Sequence, residues 1–277
     1  MSTASAGRAD LKLAFVTDIH VGPEARFDGK LRKLSHRATD LLQSFVERMN
    51  ATVRPDAVVH LGDAIEDEGR VLDEQRYRSV IDTLKGLACP VFHVAGNHDS
   101  VHLGDTELAA MWGRTGSTHY AVDLGGHRLV VLHTHEIKDQ RVFVDEEQLL
   151  WLESELSQGG PPVVVAMHHS AADQVLIGNR WFERAAHICL VQERKRLRSI
   201  IEGSGRVVAV VNGHLHWNQL TVHAGVPYVT VQSLIENLDD DAPGRPASAH
   251  AVLSVSRSRV LVEVFGEETA RYQFARG

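Results

Sequence analysis

Histidine, aspartate and asparagine recur in five short groups along the chain: Asp18-Ile19-His20, Gly62-Asp63, Gly96-Asn97-His98-Asp99, His168-His169 and Gly213-His214-Leu215-His216. Neutral imidazole together with carboxylate suits transition metals such as Mn, Fe, Co and Zn, whereas magnesium or calcium alone favours oxygen ligands. In Asp-X-His and His-X-His the two side chains are two residues apart, so an extended backbone sends both to the same side. The glycines before Asp63, Asn97 and His214 are expected to let the chain bend sharply. Any one of these groups is more often structural than functional. The ordered set is specific, because each group closes an apolar run.

Those apolar runs set the expected architecture. Strands are expected over Leu11–Thr17, Ala57–Leu61, Val91–Ala95, Pro162–Met167 and Val207–Val211, each followed by one of the five groups. Amphipathic helices are expected over Leu31–Met49 and Val71–Leu87, giving a βαβαβ start and a parallel sheet with helices outside it. Further helices are expected over Asp145–Leu156 and Arg194–Glu202. Gly125-Gly126 between apolar runs signals a hairpin, and strands are expected over Gln219–His223 and Tyr228–Gln232. His250–Val255 and Val260–Phe265 read as a closing hairpin. Parallel units in front and antiparallel pairs behind predict two mixed sheets packed together with flanking helices. In open α/β sheets, ligands bind beyond the carboxyl ends of the strands, which is where all five groups fall.

Composition narrows the classes. With 277 residues and 43% hydrophobic content the chain can bury a sizeable core. One domain over 1–277 is expected, with a flexible tail at 1–10. No apolar stretch approaches the roughly 20 residues that span a bilayer, and Met1 to Asp10 lacks the apolar segment of a secretory signal. Cys89 and Cys189 are too few for a disulfide scaffold, so a reducing, cytoplasmic compartment fits. A formal net charge of −7 argues against a nucleic-acid surface. It does not argue against an anionic substrate, because bound cations reverse the local field. Of the 17 histidines, His60 and His93 lie inside strands and read as packed core. Trp181-Phe182, in a stretch with no clear period, reads equally as loop packing or as a lid. Arg26, Lys30, Arg32 and Lys33 read mostly as a solvated helix start, with Arg26 alone placed to meet an anionic ligand. Asp239–Ala247 reads as a solvated loop.

The set Asp-X-His, Gly-Asp-X-X-Glu, Gly-Asn-His-Asp, His-His, Gly-His-X-His, running from Asp18 to His216, resembles the calcineurin-like metallophosphoesterases. Within that family it is most similar to the bacterial cyclic-nucleotide and glycerophosphodiester phosphodiesterases. The resemblance implies a four-layer α/β/β/α sandwich and a dinuclear site of two transition-metal ions (Mn, Fe or Zn). It implies that Asp18, His20 and His216 hold the first metal, that Asn97, His168 and His214 hold the second, and that Asp63 bridges both. It implies further that His98 contacts the phosphoryl oxygen or protonates the leaving group, and that Glu66 orients His98. Three departures stand out. Ala64, Ile65 and Glu66 follow Gly-Asp where purple acid phosphatases carry a tyrosine. Ser170 follows the His-His pair where proline is common, leaving His168 or His169 as the ligand, with position in the motif favouring His168. His133-Thr134-His135 stands where relatives often have an aspartate.

The reaction expected from the resemblance is hydrolysis of a small phosphodiester, the two metals clamping the attacking and leaving oxygens and activating water. A phosphomonoesterase or nucleotide diphosphatase is the nearest alternative, since the same clamp serves each. A non-catalytic scaffold of the same fold would not need the complete ligand set, and a DNA nuclease is disfavoured by the acidic balance. The expected partner is a small phosphate ester. Neither a membrane nor nucleic acid is expected, and oligomeric state is left open.

Overall fold

A computed structural model describes residues 10–276. Residues 1–9 of the expected tail lie outside the described residues. The strands in chain order are β1 (Leu11–Val16), β2 (Ala57–His60), β3 (Val91–His93), β4 (Tyr120–Leu124), β5 (His127–Val131), β6 (His135–Ile137), β7 (Arg141–Phe143), β8 (Val163–Ala166), β9 (Val207–Asn212), β10 (Gln219–His223), β11 (Val226–Thr230), β12 (His250–Val255), β13 (Arg259–Phe265) and β14 (Ala270–Ala275). The helices are α1 (Ala38–Arg48), α2 (Arg70–Leu84), α3 (Asp105–Met111), α4 (Glu146–Ser157) and α5 (Arg194–Gly203).

Two six-stranded mixed sheets form the centre, in the orders β14-β13-β12-β1-β2-β3 and β10-β11-β9-β8-β5-β4. In the first, β1, β2 and β3 are parallel, and β12 runs antiparallel to β1. In the second, β5, β8, β9 and β11 are parallel, with antiparallel β4 and β10 at the edges. Side chains alternate across each strand, so each sheet has two faces to bury. Leu13 and Phe15 of β1 meet Val131, Val164 and Val211 of the opposite sheet. Ala14 and Val16, on the other face of β1, pack against Leu42 and Phe45 of α1 and Tyr77 and Ile81 of α2. Val165 of β8 and Val210 of β9 pack outward onto Leu152 of α4 and Leu197 of α5. The result is the expected four-layer α/β/β/α sandwich.

Several elements depart from the sequence expectation. The helix expected from Leu31 begins only at Ala38, after a 3-10 turn at Ser35–Arg37. Residues 31–34 instead lie extended beside residues 235–240, with Leu31 N donating to Asp240 O (3.0 Å) and Leu34 N to Ile235 O (2.9 Å). Leu31 and Leu34 are still buried, so their apolar spacing was real but served a paired segment rather than a helix. The closing hairpin is a three-stranded meander, because β14 adds to β13. The short α3 and the β6–β7 hairpin were not expected from the sequence; runs this brief carry little periodic signal. The loop 239–247 is tied rather than free, since Asp240 pairs with Lys30 (2.8 Å) and with Arg180. Among the described residues, no helix is long and apolar enough to cross a membrane.

Candidate metal centre

The ends of β1, β2, β3, β8 and β9 meet at one place. Backbone pairing continues past the strands, with Asp18 N donating to Gly62 O (3.0 Å), His20 N to Asp63 O (3.0 Å) and Gly213 N to His168 O (3.1 Å). Of the three glycines expected to bend the chain, only Gly62 has positive φ, +101°. Gly96 and Gly213 serve close approach instead: a Cβ there would fall on the Asp63 carboxylate or on Thr17 Oγ1. The bending is done by the polar residues themselves. Asp18, His20, Asp63, His214 and His216 all adopt positive φ, between 47° and 68°. For non-glycine residues this conformation is uncommon and costly, and it concentrates at functional sites.

All seven residues expected to bind metal come together in two groups. In the first, His20 Nε2 and His216 Nε2 face each other at 3.1 Å, with Asp18 Oδ1 3.4 Å from the latter and 3.8 Å from the former. In the second, His168 Nε2 lies 3.0 Å from Asn97 Oδ1 and 3.2 Å from His214 Nδ1. Asp63 Oδ2 stands between them, 3.3 Å from His168 Nε2 and 3.7 Å from His20 Nε2.

The outer nitrogen of each ring decides which nitrogen offers a lone pair inward. His168 Nδ1 donates to Leu61 O (2.8 Å), His214 Nε2 to Ile188 O (3.2 Å) and His216 Nδ1 to Glu236 Oε2 (2.8 Å). His20 Nδ1 faces Glu66 Oε1 at 3.4 Å. This is the outer-shell pattern that orients histidine ligands. Four imidazole lone pairs and two carboxylates thus converge inside a buried volume, an arrangement that requires positive charge among them. Protonation can supply part of it. Burial pushes His168 and His216 down, but Asp63 raises His168 to about 9, and Asp18 with Glu236 raises His216 to about 9. Burial and the neighbouring His168 push His214 down to about 3. Burial likewise raises Asp63, but His168, His98 and His20 outweigh it and hold the carboxyl well below its usual range. Asp18 Oδ1 is buried and has no hydrogen-bond partner among the described residues. The donor set fits transition-metal ions.

His169 takes a different role from its neighbour. Its Nδ1 meets Thr134 Oγ1 at 2.7 Å, its ring lies 4.1 Å from that of His214, and burial keeps it neutral. His169 still offers a ligand atom within 4.8 Å of those of His168 and His214, while His168 alone of the pair reaches Asn97 and Asp63.

The expectation for Glu66 needs correction. His98 Nδ1 pairs with Asp67 Oδ1, and Glu66 Oε2 is 3.9 Å away. Glu66 instead pairs with Lys33 and approaches Ser35 Oγ at 3.3 Å. The two acids are adjacent in sequence, and their order of burial was not visible there. His98 N also donates to Asp63 Oδ1 (3.0 Å). Burial lowers His98, but Asp63 and Asp67 together raise its pKa above the ordinary value. Arg26 does not meet the site; it is exposed and pairs with Asp241 (3.2 Å). Lys33 is the buried cation at the cleft, with Phe27 and Trp181 rings 5.0 and 5.5 Å from its Nζ. Sequence reasoning also missed Glu236, which no local motif marks. Asp99 was read only as part of its motif. It accepts from the backbone N–H of Asp63, Ala64 and Gly96 at 2.8–2.9 Å, locking two ligand loops together.

The cleft above these groups measures about 610 Å³. Trp181 and Phe182 roof it: Phe182 stacks on His214 at 4.6 Å, and Trp181 lies 5.5 Å from His216 while its indole N–H donates to Glu236. Six carboxylates line the cleft, namely Asp63, Glu66, Asp67, Asp105, Glu136 and Asp139, against Lys33 and Lys138.

The family model for calcineurin-like phosphoesterases matches residues 11–218, three quarters of the chain and the whole span carrying the site. The chain belongs to the calcineurin-like phosphoesterase family. This phosphoesterase is 27% identical over 232 residues to a probable cyclic nucleotide phosphodiesterase from Synechococcus, covering 80% of the chain and 82% of that protein. It is 24% identical over 226 residues to one from Rhodococcus erythropolis, covering 80% and 70%. It is 26% identical over 190 residues to a glycerophosphodiester phosphodiesterase from Enterobacter lignolyticus, covering 67% and 64%. Its fold matches a dimetal phosphatase from Danio rerio with a TM-score of 0.78 at 17% identity, covering 96% of this chain and 99% of that one. The phosphoesterase is a metal-dependent phosphoric ester hydrolase, and its family implies divalent metal ions.

Proposed function

We propose that this phosphoesterase hydrolyses small phosphodiesters at a dinuclear centre. The observation that carries the reading is the pair of convergent donor groups sharing Asp63, with His98 beside them at the cleft floor. Asp18, His20 and His216 would hold one ion and Asn97, His168 and His214 the other, with Asp63 touching both. When bound, the ions supply Lewis acidity and a water acidified enough to attack near neutral pH. They also reverse the sign of an otherwise acidic cleft, which an anionic ester could not enter alone.

The remaining work falls to the chain's own groups. Asp67 takes the Nδ1 proton of His98 as a hydrogen bond, so Nε2 is the nitrogen left to serve the substrate. Asp63 and Asp67 shift the pKa of His98 upward, which favours the protonated ring that can give a proton to the leaving alkoxide. Ester hydrolysis leaves such an alkoxide, which needs that proton, and the phosphodiesterases among the relatives matched favour a diester. Lys33 offsets Glu66 within the cleft, sparing an incoming anion one of the uncompensated carboxylates. Trp181 and Phe182 pack against one histidine of each ligand group and bound the cleft on that side.

The test is a comparison of bis-p-nitrophenyl phosphate with p-nitrophenyl phosphate on metal-reconstituted protein, followed by natural esters. Faster turnover of the diester is expected. Preference for the monoester would favour a phosphomonoesterase. Absence of turnover on either, with metals bound, would favour a scaffold.

A further inference from the structure

On another wall of the same cleft, Asp105, His133 and His135 gather a second kind of donor set. One ligand atom from each lies within 4.8 Å of the others. None of the three belongs to the groups around Asp63. They come from the loop after β5, the first residue of β6 and the first residue of α3. His133 follows β5 much as His168 follows the adjacent parallel strand β8, and the two-residue step to His135 again turns two imidazoles to one side.

The cluster is built rather than incidental. His133 is buried, and the buried side chain of Gln148 grips its backbone from both ends: Oε1 accepts from His133 N (2.7 Å) and Nε2 donates to His133 O (2.8 Å). Thr118 Oγ1, also buried, fixes the ring through Nδ1 at 2.7 Å. Asp105 Oδ2 lies 3.5 Å from the same nitrogen. The rings of His133 and His135 sit 4.2 Å apart. His135 is backed by Phe143 at 5.4 Å and oriented by Asp145, whose Oδ2 is 3.1 Å from Nε2. Asp145 is itself fixed, because its Oδ1 caps α4 by accepting from Gln148 N (2.8 Å). A carboxylate behind a histidine is the arrangement that prepares imidazole for a metal. Burial holds His135 below its ordinary pKa, and the bond to His133 does the same for Asp105, so neutral ring and ionised carboxyl coexist near neutral pH.

We propose that Asp105, His133 and His135 form a separate binding site for a zinc-class divalent cation on the cleft wall. Two imidazoles and one carboxylate make a donor set that zinc accepts, and three protein ligands leave a coordination position for another group. All three residues line the cleft, so that position is available to a substrate oxygen.

The test compares zinc content in the untagged full-length wild type, an Asp105→Asn/His135→Ala double variant and Asp105→Asn alone, after zinc loading and desalting. These positions are preferred to His133 because they are less buried. The double variant is expected to carry about one ion per chain fewer than wild type, with an unchanged circular dichroism spectrum. Asp105→Asn alone should weaken binding of that ion at least about tenfold. Wild-type crystals should show an anomalous zinc peak beside His133. Equal zinc content in wild type and double variant, or an anomalous map without that peak, overturns the proposal. The wall site shows as a difference in zinc content between the wild type and the double variant. A failure of the dinuclear reading would appear instead as a low absolute count in both.

Discussion

The imidazole of His98 is held through Nδ1 by Asp67, while Glu66, one residue earlier, turns away to Lys33. Two adjacent acids thus serve two different cations. If the first pair sustains proton donation, Asp67→Asn should keep its metal content and lose about 10- to 100-fold in kcat on an alkyl ester. The loss should be smaller with p-nitrophenolate as leaving group, which needs no proton. The pH profile gives an independent check. His98 acts when protonated, so activity falls as pH rises through its pKa. Removing the Asp67 charge lowers that pKa, and the alkaline fall in kcat/KM should begin at lower pH. An unchanged alkaline limb would detach Asp67 from His98.

Asp63 Oδ2 lies between the two donor groups. Asp63→Asn should therefore weaken both metal sites and lower activity by several orders of magnitude. Asp18→Asn should chiefly empty the group containing His20 and His216. Elemental analysis after loading distinguishes the two patterns, and loss of a single ion in both variants would show that Asp63 does not bridge.

Lys33 is buried against Glu66 between two aromatic rings. Lys33→Met keeps the apolar stem and removes the charge, leaving Glu66 uncompensated beside an anionic substrate. KM should rise about tenfold, or roughly 1.4 kcal/mol, with kcat less affected. Lys33→Met/Glu66→Gln should recover much of that loss. Steady-state kinetics of the single and double variants would decide it.

Away from the cleft, His250 stacks on Phe265 at 5.2 Å and touches Phe45 at 5.6 Å. Burial and nearby Arg48 push its pKa down to about 4. The folded state therefore favours the neutral ring. Its contribution is fully present above the unfolded value of about 6.5 and is lost as pH falls toward 4. His250→Phe removes this sensitivity. The stability difference between pH 7 and pH 4.5, from urea unfolding, should be about 2 kcal/mol smaller in the variant. An equal pH dependence in both proteins would refute the assignment.

The five groups were legible in the sequence because each sits at the end of its own strand, and the resemblance to the calcineurin-like metallophosphoesterases then picked out Asp18, His20, Asp63, Asn97, His168, His214 and His216 within them. The supporting groups were not legible. Glu236 reaches His216 from a segment whose only mark is its pairing with residues 31–34, a contact between distant parts of the chain. The same pairing hid the true state of Leu31–Leu34, whose apolar spacing suits a helix and an extended segment alike. Asp67 and Glu66 differ by one position, and only the packing of Lys33 decides which acid is left for His98. For the same reason Lys33 rather than Arg26 lines the cleft.

Five of the seven candidate ligands hold their backbone at positive φ. Each such residue costs on the order of 1–3 kcal/mol. Taken together, that is comparable with the roughly 5–15 kcal/mol by which a folded protein is stable at all. The two sheets and their helices thus act as a frame under tension, with burial far from the cleft keeping three loops in a shape they would not choose alone. A substitution deep in either sheet, touching nothing near the cleft, could then blunt turnover while the protein still looks folded. The distance of a residue from the ligands would be a poor guide to whether the reaction depends on it.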